Sequence, residues 1–180
     1  MRGVFGETLL HICFLFGQSH SPNHQTIARQ LIGKYPELVN QIYDRQPYQG
    51  EAPIHMALTN NDEEMVRMLL ENGANLHQRA NGMFFRPSGK VYFGEFPLSF
   101  AACMNQANMV ELLVKAGANI SSQDRALGNT VLHLLVVYEQ KEMYDYILSL
   151  EQELFRGFFF SIFIFHFHFS FSFFSLPSIF

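Results

Sequence analysis

A chain of 180 residues, 48% hydrophobic and 16% charged, is long enough to form one globular domain with a sizeable core. Its net charge of -4 and the lack of a basic stripe exclude a nucleic-acid partner, because nothing is present to displace counterions from phosphates. The two cysteines, Cys13 and Cys103, sit in apolar stretches without C-x-x-C or Cys/His finger spacing, so they read as buried, reduced thiols of a cytosolic protein rather than a disulfide, a metal site or a cofactor site.

In chain order, the opening MRGVFGETLLH has no long apolar core ahead of a small-residue cleavage site, and no signal peptide is expected. GETLLHICF follows from Gly6, and near-copies appear as GEAPIHMAL from Gly50, GEFPLSFAAC from Gly94 and GNTVLHLLV from Gly128. Each copy has Gly first and an aliphatic residue fifth, and the sixth position holds His11, His55, Ser99 and His133 in turn. From the sixth position to an apolar helical triplet is 11 residues in the last three copies, ending at Val66/Leu69/Leu70, Val110/Leu113/Val114 and Tyr144/Ile147/Leu148. The first copy has Ala28/Leu31/Ile32, but 17 residues after His11, so six extra residues within FGQSHSPNHQ lengthen its inner turn.

Each copy therefore predicts a turn, a short helix, a second turn and a longer helix. Gly supplies the left-handed turn conformation, Thr8 and Thr130 can cap, and Pro53 and Pro97 fit a first helical turn that needs no amide hydrogen. Gly73 and Gly117, in ENGAN and KAGAN, are expected to close the longer helices in the left-handed conformation. The spacings of 44, 44 and 34 between the starting glycines, with the internal pattern, resemble ankyrin units, whose period is about 33. An all-α solenoid with projecting β-hairpin fingers follows. Each layer buries its apolar face only against a neighbour, so apolar faces near Gly6 and Leu150 are expected to be exposed.

Several side chains have a structural expectation. In a T-P-L-H-type motif the histidine fastens the turn through hydrogen bonds, which assigns His11, His55 and His133 to the turns and gives Ser99 one such bond at most. The cluster Asp62/Glu63/Glu64 suits a helix start, and Arg67/Glu71 and Glu111/Lys115 fall at i, i+4 as surface pairs. Phosphate-loop, nucleophile-elbow and H-E-x-x-H motifs are missing, so catalysis is not expected.

Gly94 lies 21 residues after Gly73, whereas Gly128 lies only 11 after Gly117, so the loop before the third copy, which reads HQRANGMFFRPSGKVYFGEF, carries ten extra residues. Aromatic flanks around R-P-S-G-K predict a β-hairpin finger offering Phe84, Phe85, Arg86, Tyr92 and Phe93 to a partner.

After Phe155 the text changes: the last 23 residues hold 11 Phe and five Ser. Residues 158–176 are uncharged and long enough for a membrane helix, yet they alternate with a period near two, as an aggregating β segment would. Their residue types are those of pyrimidine-rich codons, and residues 155–180 are read as a non-native or artefactual tail, distinct from the repeat domain at 3–154. His166 and His168 make no metal site on this reading.

The runs ANGMFFRPSGKVYFGEFPLSFAAC and GNTVLHLLV resemble the cytoplasmic ankyrin domain of vanilloid-type transient receptor potential channels, invertebrate sensory members most of all. The four copies would be the second to fifth of that family's six repeats, making this a truncated member without the first and sixth repeats, the membrane spans and the pore. The resemblance implies a tetrameric, usually calcium-permeable parent channel at the plasma membrane, with this domain in the cytoplasm and its long finger touching another subunit. It implies ATP or calmodulin on the concave face of some members. The nucleotide positions carry over poorly: Glu7 and Ile12 stand where lysines act in one branch, and Tyr48 and Glu51 where an aromatic and an amide act. A carboxylate facing a triphosphate repels it. Calmodulin stays open, since no basic amphipathic helix is present. A free-standing ankyrin adaptor for another protein is the alternative, and a membrane-anchoring tail a third.

Overall fold

The computed structural model describes residues 2–4, 6–16, 22–86 and 89–172; for residues 16, 83–86, 89–90 and 157–172 the backbone alone is described. The described residues form α1 (Leu9–Phe16), α2 (Pro22–Lys34), α3 (Pro53–Thr59), α4 (Glu63–Glu71), α5 (Pro97–Cys103), α6 (Ala107–Lys115), α7 (Val131–Val137) and α8 (Lys141–Ser172), with a short 3-10 helix at Pro36–Asn40. Strands β1 (Met83–Arg86) and β2 (Gly89–Tyr92) pair antiparallel, Met83 opposite Tyr92 and Arg86 opposite Gly89, and lie between α4 and α5. The hairpin tip at residues 87–88 and the inner turn at 17–21 lie outside the described residues.

The chain divides into two compact units between Tyr144 and Asp145. In the first, α1 packs on α3, α3 on α5 and α5 on α7, while α4 also meets α6. Layers beginning at Gly50 and Gly94 are thus neighbours in register, as a solenoid requires. Helices α3 and α5 have neighbours on both sides, and residues 53–58 and 97–103 are buried throughout. The expected triplets point into the same core: Ala28, Ile32, Val66, Leu69, Val110, Leu113 and Val114 are all buried.

Left-handed backbone recurs where the repeat predicts it. Gly6, Gly50, Gly94 and Gly128 have φ of +83°, +88°, +79° and +71°, and Gly73 and Gly117, past the ends of α4 and α6, have +80° and +100°. At Gly50 and Gly94 a side chain also lacks space: a Cβ on Gly50 would lie 2.4 Å from the Arg79 carbonyl oxygen, and one on Gly94 would lie 2.5 Å from Ser99 Oγ and 2.7 Å from Leu134 Cδ1. Asn61, Asn105 and Glu139 take the same conformation between the paired helices, with φ of 53°, 57° and 55°. Asn tolerates this readily, whereas Glu139 carries a local strain that its layer must hold.

Helix starts follow the sequence with one change of partner. Asp62 Oδ1 accepts the Met65 N–H at 3.1 Å and caps α4, whose first turn carries Glu63 and Glu64. Lys115 pairs with Glu111 as expected, but Arg67 reaches back to Glu63 at 2.6 Å rather than forward to Glu71. That correction matches the favoured order on a helix, acid before base, which also suits the dipole.

The Phe-rich alternation does not set a strand: the backbone is helical through Ser172, across the composition change at Phe155. Among the described residues no helix is long and apolar enough to cross a membrane. Leu150 itself is buried, while Val136 and Val137 of α7 and Leu154 and Phe155 of α8 are exposed apolar side chains.

Candidate functional site

The joints between layers are built first by the turn histidines. His11 Nδ1 accepts the Thr8 N–H at 3.1 Å and stands 2.9 Å from Thr8 Oγ1, which leaves the proton on Nε2. That Nε2–H donates to the Glu51 carbonyl of the next layer at 3.3 Å. His55 Nδ1 repeats the first bond to the Ala52 N–H at 3.1 Å, and its ring meets Phe100 of α5 edge-on at 5.0 Å. Its Nε2, on the side of the Glu95 carbonyl, closes no hydrogen bond of ordinary geometry. Burial holds both histidines down to about 4, so both are neutral at pH 7. His133 Nδ1 accepts the Thr130 N–H at 3.2 Å, but its ring is exposed.

Ser99 makes two bonds where one was expected, both with Phe96: its Oγ accepts the N–H at 3.2 Å and donates to the carbonyl at 2.7 Å. A serine reaches only its own turn. The contact with the next layer is made instead by close packing of Gly94 against Leu134.

The second and third Gly-Glu turns, at Gly50 and Gly94, differ in charge chemistry. Glu95 accepts from Arg79 at 2.5 Å and from the Arg125 N–H at 2.9 Å, and the Arg79 guanidinium lies over the Phe96 ring at 4.5 Å. Glu51 is 2% exposed and its Oε1 has no hydrogen-bond partner. Burial pushes its carboxyl up to about 8, so it is held mainly as the neutral acid at pH 7. The backbone explains the difference. Ala80 N–H donates to the Glu95 carbonyl and Tyr43 N–H to the Glu51 carbonyl, so Ile42 occupies the place that Arg79 has one layer later. Sequence reasoning missed this pairing because Arg79 lies 16 residues from Glu95, across the hairpin.

This geometry bears on the positions considered for nucleotide. Glu51 is turned into the joint, Tyr48 is half-buried beside it, and the Tyr43 hydroxyl is buried without a hydrogen-bond partner. Burial first, then the nearby Glu7 and Glu51 carboxyls, pushes the Tyr43 hydroxyl above the usual tyrosine range.

The long finger is the other feature outside the regular layers. Its arms carry Phe84, Phe85 and Arg86 on β1 and Tyr92 on β2, and the first three side chains lie outside what is described. Tyr92 is half-buried at the base; burial and then the Asp124 carboxylate push its hydroxyl up. Phe93, expected on the finger surface, is 1% exposed and packs edge-on against Phe100 at 5.8 Å, so it anchors the hairpin in the core. The Phe93 N–H donates to the Gly82 carbonyl at 2.8 Å, and the Tyr138 hydroxyl after α7 donates to the Tyr92 carbonyl. The hairpin therefore stands on two layers.

Helix pairs stacked through left-handed glycine turns, with neutral histidines between them and a hairpin projecting from one joint, define an ankyrin-repeat protein. The Ankyrin repeat family model matches residues 49–81 and 93–125. The chain is 41% identical to human transient receptor potential cation channel subfamily V member 6, over 84% of this chain and 20% of that protein. It is 40% identical to subfamily V member 5 of Rattus norvegicus, over 82% and 20%, and 44% identical to subfamily V member 1 of Canis lupus familiaris, over 61% and 14%. The chain thus carries ankyrin repeats and is similar, over most of its own length, to part of these subfamily V channels. It spans about a fifth of the length of the first relatives it matches.

Proposed function

We propose that this chain is the cytoplasmic ankyrin-repeat portion of a calcium-permeable cation-channel subunit of the plasma membrane, working by protein contact in channel assembly and in coupling to the gate. One observation carries the reading: a hairpin stands at the joint ahead of α5, while the joint ahead of α7 has a short turn among the described residues. Ordinary ankyrin connections are short, and an aromatic-rich arm fixed at its base by Phe93 and Tyr138 presents a preorganised surface to a second subunit. Phe84, Phe85, Arg86 and Tyr92 are its contact residues, and Phe93 supports it from below.

The activity is one of binding. Tyr48 and Glu51 hold no nucleotide in this proposal, because Glu51 is buried and acidic. Residues 155–180 take no part in the contact, and no calmodulin site is assigned.

Pulldown of the tagged chain from cells co-expressing a full-length subfamily V subunit tests the reading. Recovery of the subunit, reduced about tenfold or more by Phe84→Ser with Phe85→Ser, is the expected result. Recovery of non-channel proteins alone makes the chain a free-standing adaptor.

A further inference from the structure

The backbone of Glu51 is a meeting point of the first and second layers. Its carbonyl accepts the His11 Nε2–H of α1 at 3.3 Å and the Tyr43 N–H of the connecting loop at 2.9 Å, and its N–H donates to the Tyr48 carbonyl at 3.0 Å. One residue earlier, the Gly50 N–H donates to the Tyr43 carbonyl at 2.9 Å and the Gly50 carbonyl accepts from Gln78 Nε2 at 3.3 Å. One residue later, Ala52 opens α3. First layer, loop and second layer are thus tied at a single turn, and both layers lie within the described residues.

The Glu51 side chain sits in this tie with an oxygen left over. The residue is 2% exposed and its Oε1 has no hydrogen-bond partner among the described residues; the Tyr43 hydroxyl, equally buried, has none either. Such a site tolerates a neutral carboxyl far better than a carboxylate. The charges around it do not favour ionisation: the Glu7 carboxyl acts on the same Tyr43 hydroxyl, Tyr48 packs on the Tyr43 ring, and His11 and His55 are neutral at pH 7. The guanidinium groups on these elements are bonded elsewhere. Arg2 donates to the Gly6 and Ile42 carbonyls at 2.7 and 2.6 Å, Arg45 stands 3.7 Å from Asp44, and Arg79 pairs with Glu95 at 2.5 Å. Glu95, in the same turn one layer later, is the built-in contrast, since its carboxylate has both a guanidinium and a backbone N–H.

We propose that the joint between the first and second layers is a proton-operated clasp, closed while the Glu51 carboxyl holds its proton and released locally when that proton passes to water, with the finger-bearing layers left folded. Release lets water reach the new carboxylate, which the closed turn denies it. The sign follows from linkage. The closed joint holds the proton up to about 8, whereas an opened joint gives it up at the ordinary 4.5, so rising pH favours opening across that interval. The clasp is independent of the finger and of its partner.

Hydrogen–deuterium exchange of the full chain, read by mass spectrometry at pH 6 and pH 8 with labelling times scaled to the intrinsic exchange rate, tests this. Protection of α1 and of residues 43–52 should fall about fiftyfold between the two, while α5 and α6 keep theirs. Glu51→Gln should flatten the response, and Glu95→Gln should leave it in place. Carboxyl carbon NMR of glutamate-labelled wild type is the second readout, decisive should Glu51→Gln lose its helical circular dichroism: the Glu51 resonance should titrate in step with the loss of protection. The proposal is overturned by first-joint protection that does not change with pH, or by a loss shared equally by α5 and α6. A loss that persists in Glu51→Gln, or a Glu51 carboxyl titrating near its ordinary 4.5, overturns it as well.

Discussion

The joints ahead of α3 and α5 open with the same two residues, Gly-Glu, and use the carboxylate in opposite ways. Glu95 is an ion, clamped by Arg79 and a backbone N–H; Glu51 is a buried acid with an unmatched oxygen and His11 bonded to its carbonyl. The sixth position differs in step: a histidine bridges into the joint at Glu51, whereas Ser99 turns back on its own layer behind Glu95. Identical turn geometry thus tolerates either a histidine bridge or an ion pair, and the chemistry of a joint is set by residues arriving from neighbouring layers.

The comparison can be broken most strongly at the sixth position. His55→Ala removes a fully buried ring from against Phe100 and should cost about 3 to 4 kcal/mol in urea unfolding followed by circular dichroism. Ser99→Ala, which loses only bonds within its own turn, should cost about 1 kcal/mol. Equal losses would mean that the two joints are not distinct.

Next in size is the response to pH. Glu51, raised to about 8 from an ordinary 4.5, contributes fully below pH 4.5 and loses its contribution as pH rises toward 8. His11 and His55, lowered to about 4 from 6.5, contribute fully above pH 6.5 and lose that as pH falls toward 4. Glu51→Gln should therefore remove the alkaline limb alone, changing the difference between pH 4.5 and pH 7 by about 3 kcal/mol, measured as unfolding midpoints across that range. Glu95→Gln should leave the alkaline limb in place.

Arg79→Met sharpens the contrast between the carboxylates. It strands a Glu95 that is nearly buried, and should cost about 2 kcal/mol at pH 7, with partial recovery in the double variant with Glu95→Gln. The smallest effect is expected at the surface: Lys115→Ala should change stability by a few tenths of a kcal/mol, and less in 1 M salt.

What was legible in the sequence is what repeats within it. Gly6, Gly50, Gly94 and Gly128, the Nδ1 bonds of the histidines, the Asp62 start of α4 and the hairpin at Met83–Tyr92 all follow from local residue types at fixed spacing. What the repeats could not show depends on which layer stands next. Phe93 looks like a finger residue until Phe100 is placed beneath it, Arg79 has no visible partner until the hairpin folds past, and Glu51 looks solvent-facing until two tyrosines pack around it. Arg67 chose between two glutamates at equal spacing by their order on the helix, a preference too small to read with assurance from text.

The bond from Tyr138 to the Tyr92 carbonyl has a mechanical corollary. With Phe93 as fulcrum and Tyr138 as a stay, a sideways load on the hairpin reaches α7 as well as α5, two storeys of the stack at once. Cutting that stay with Tyr138→Phe leaves the lever its pivot but removes its second point of purchase.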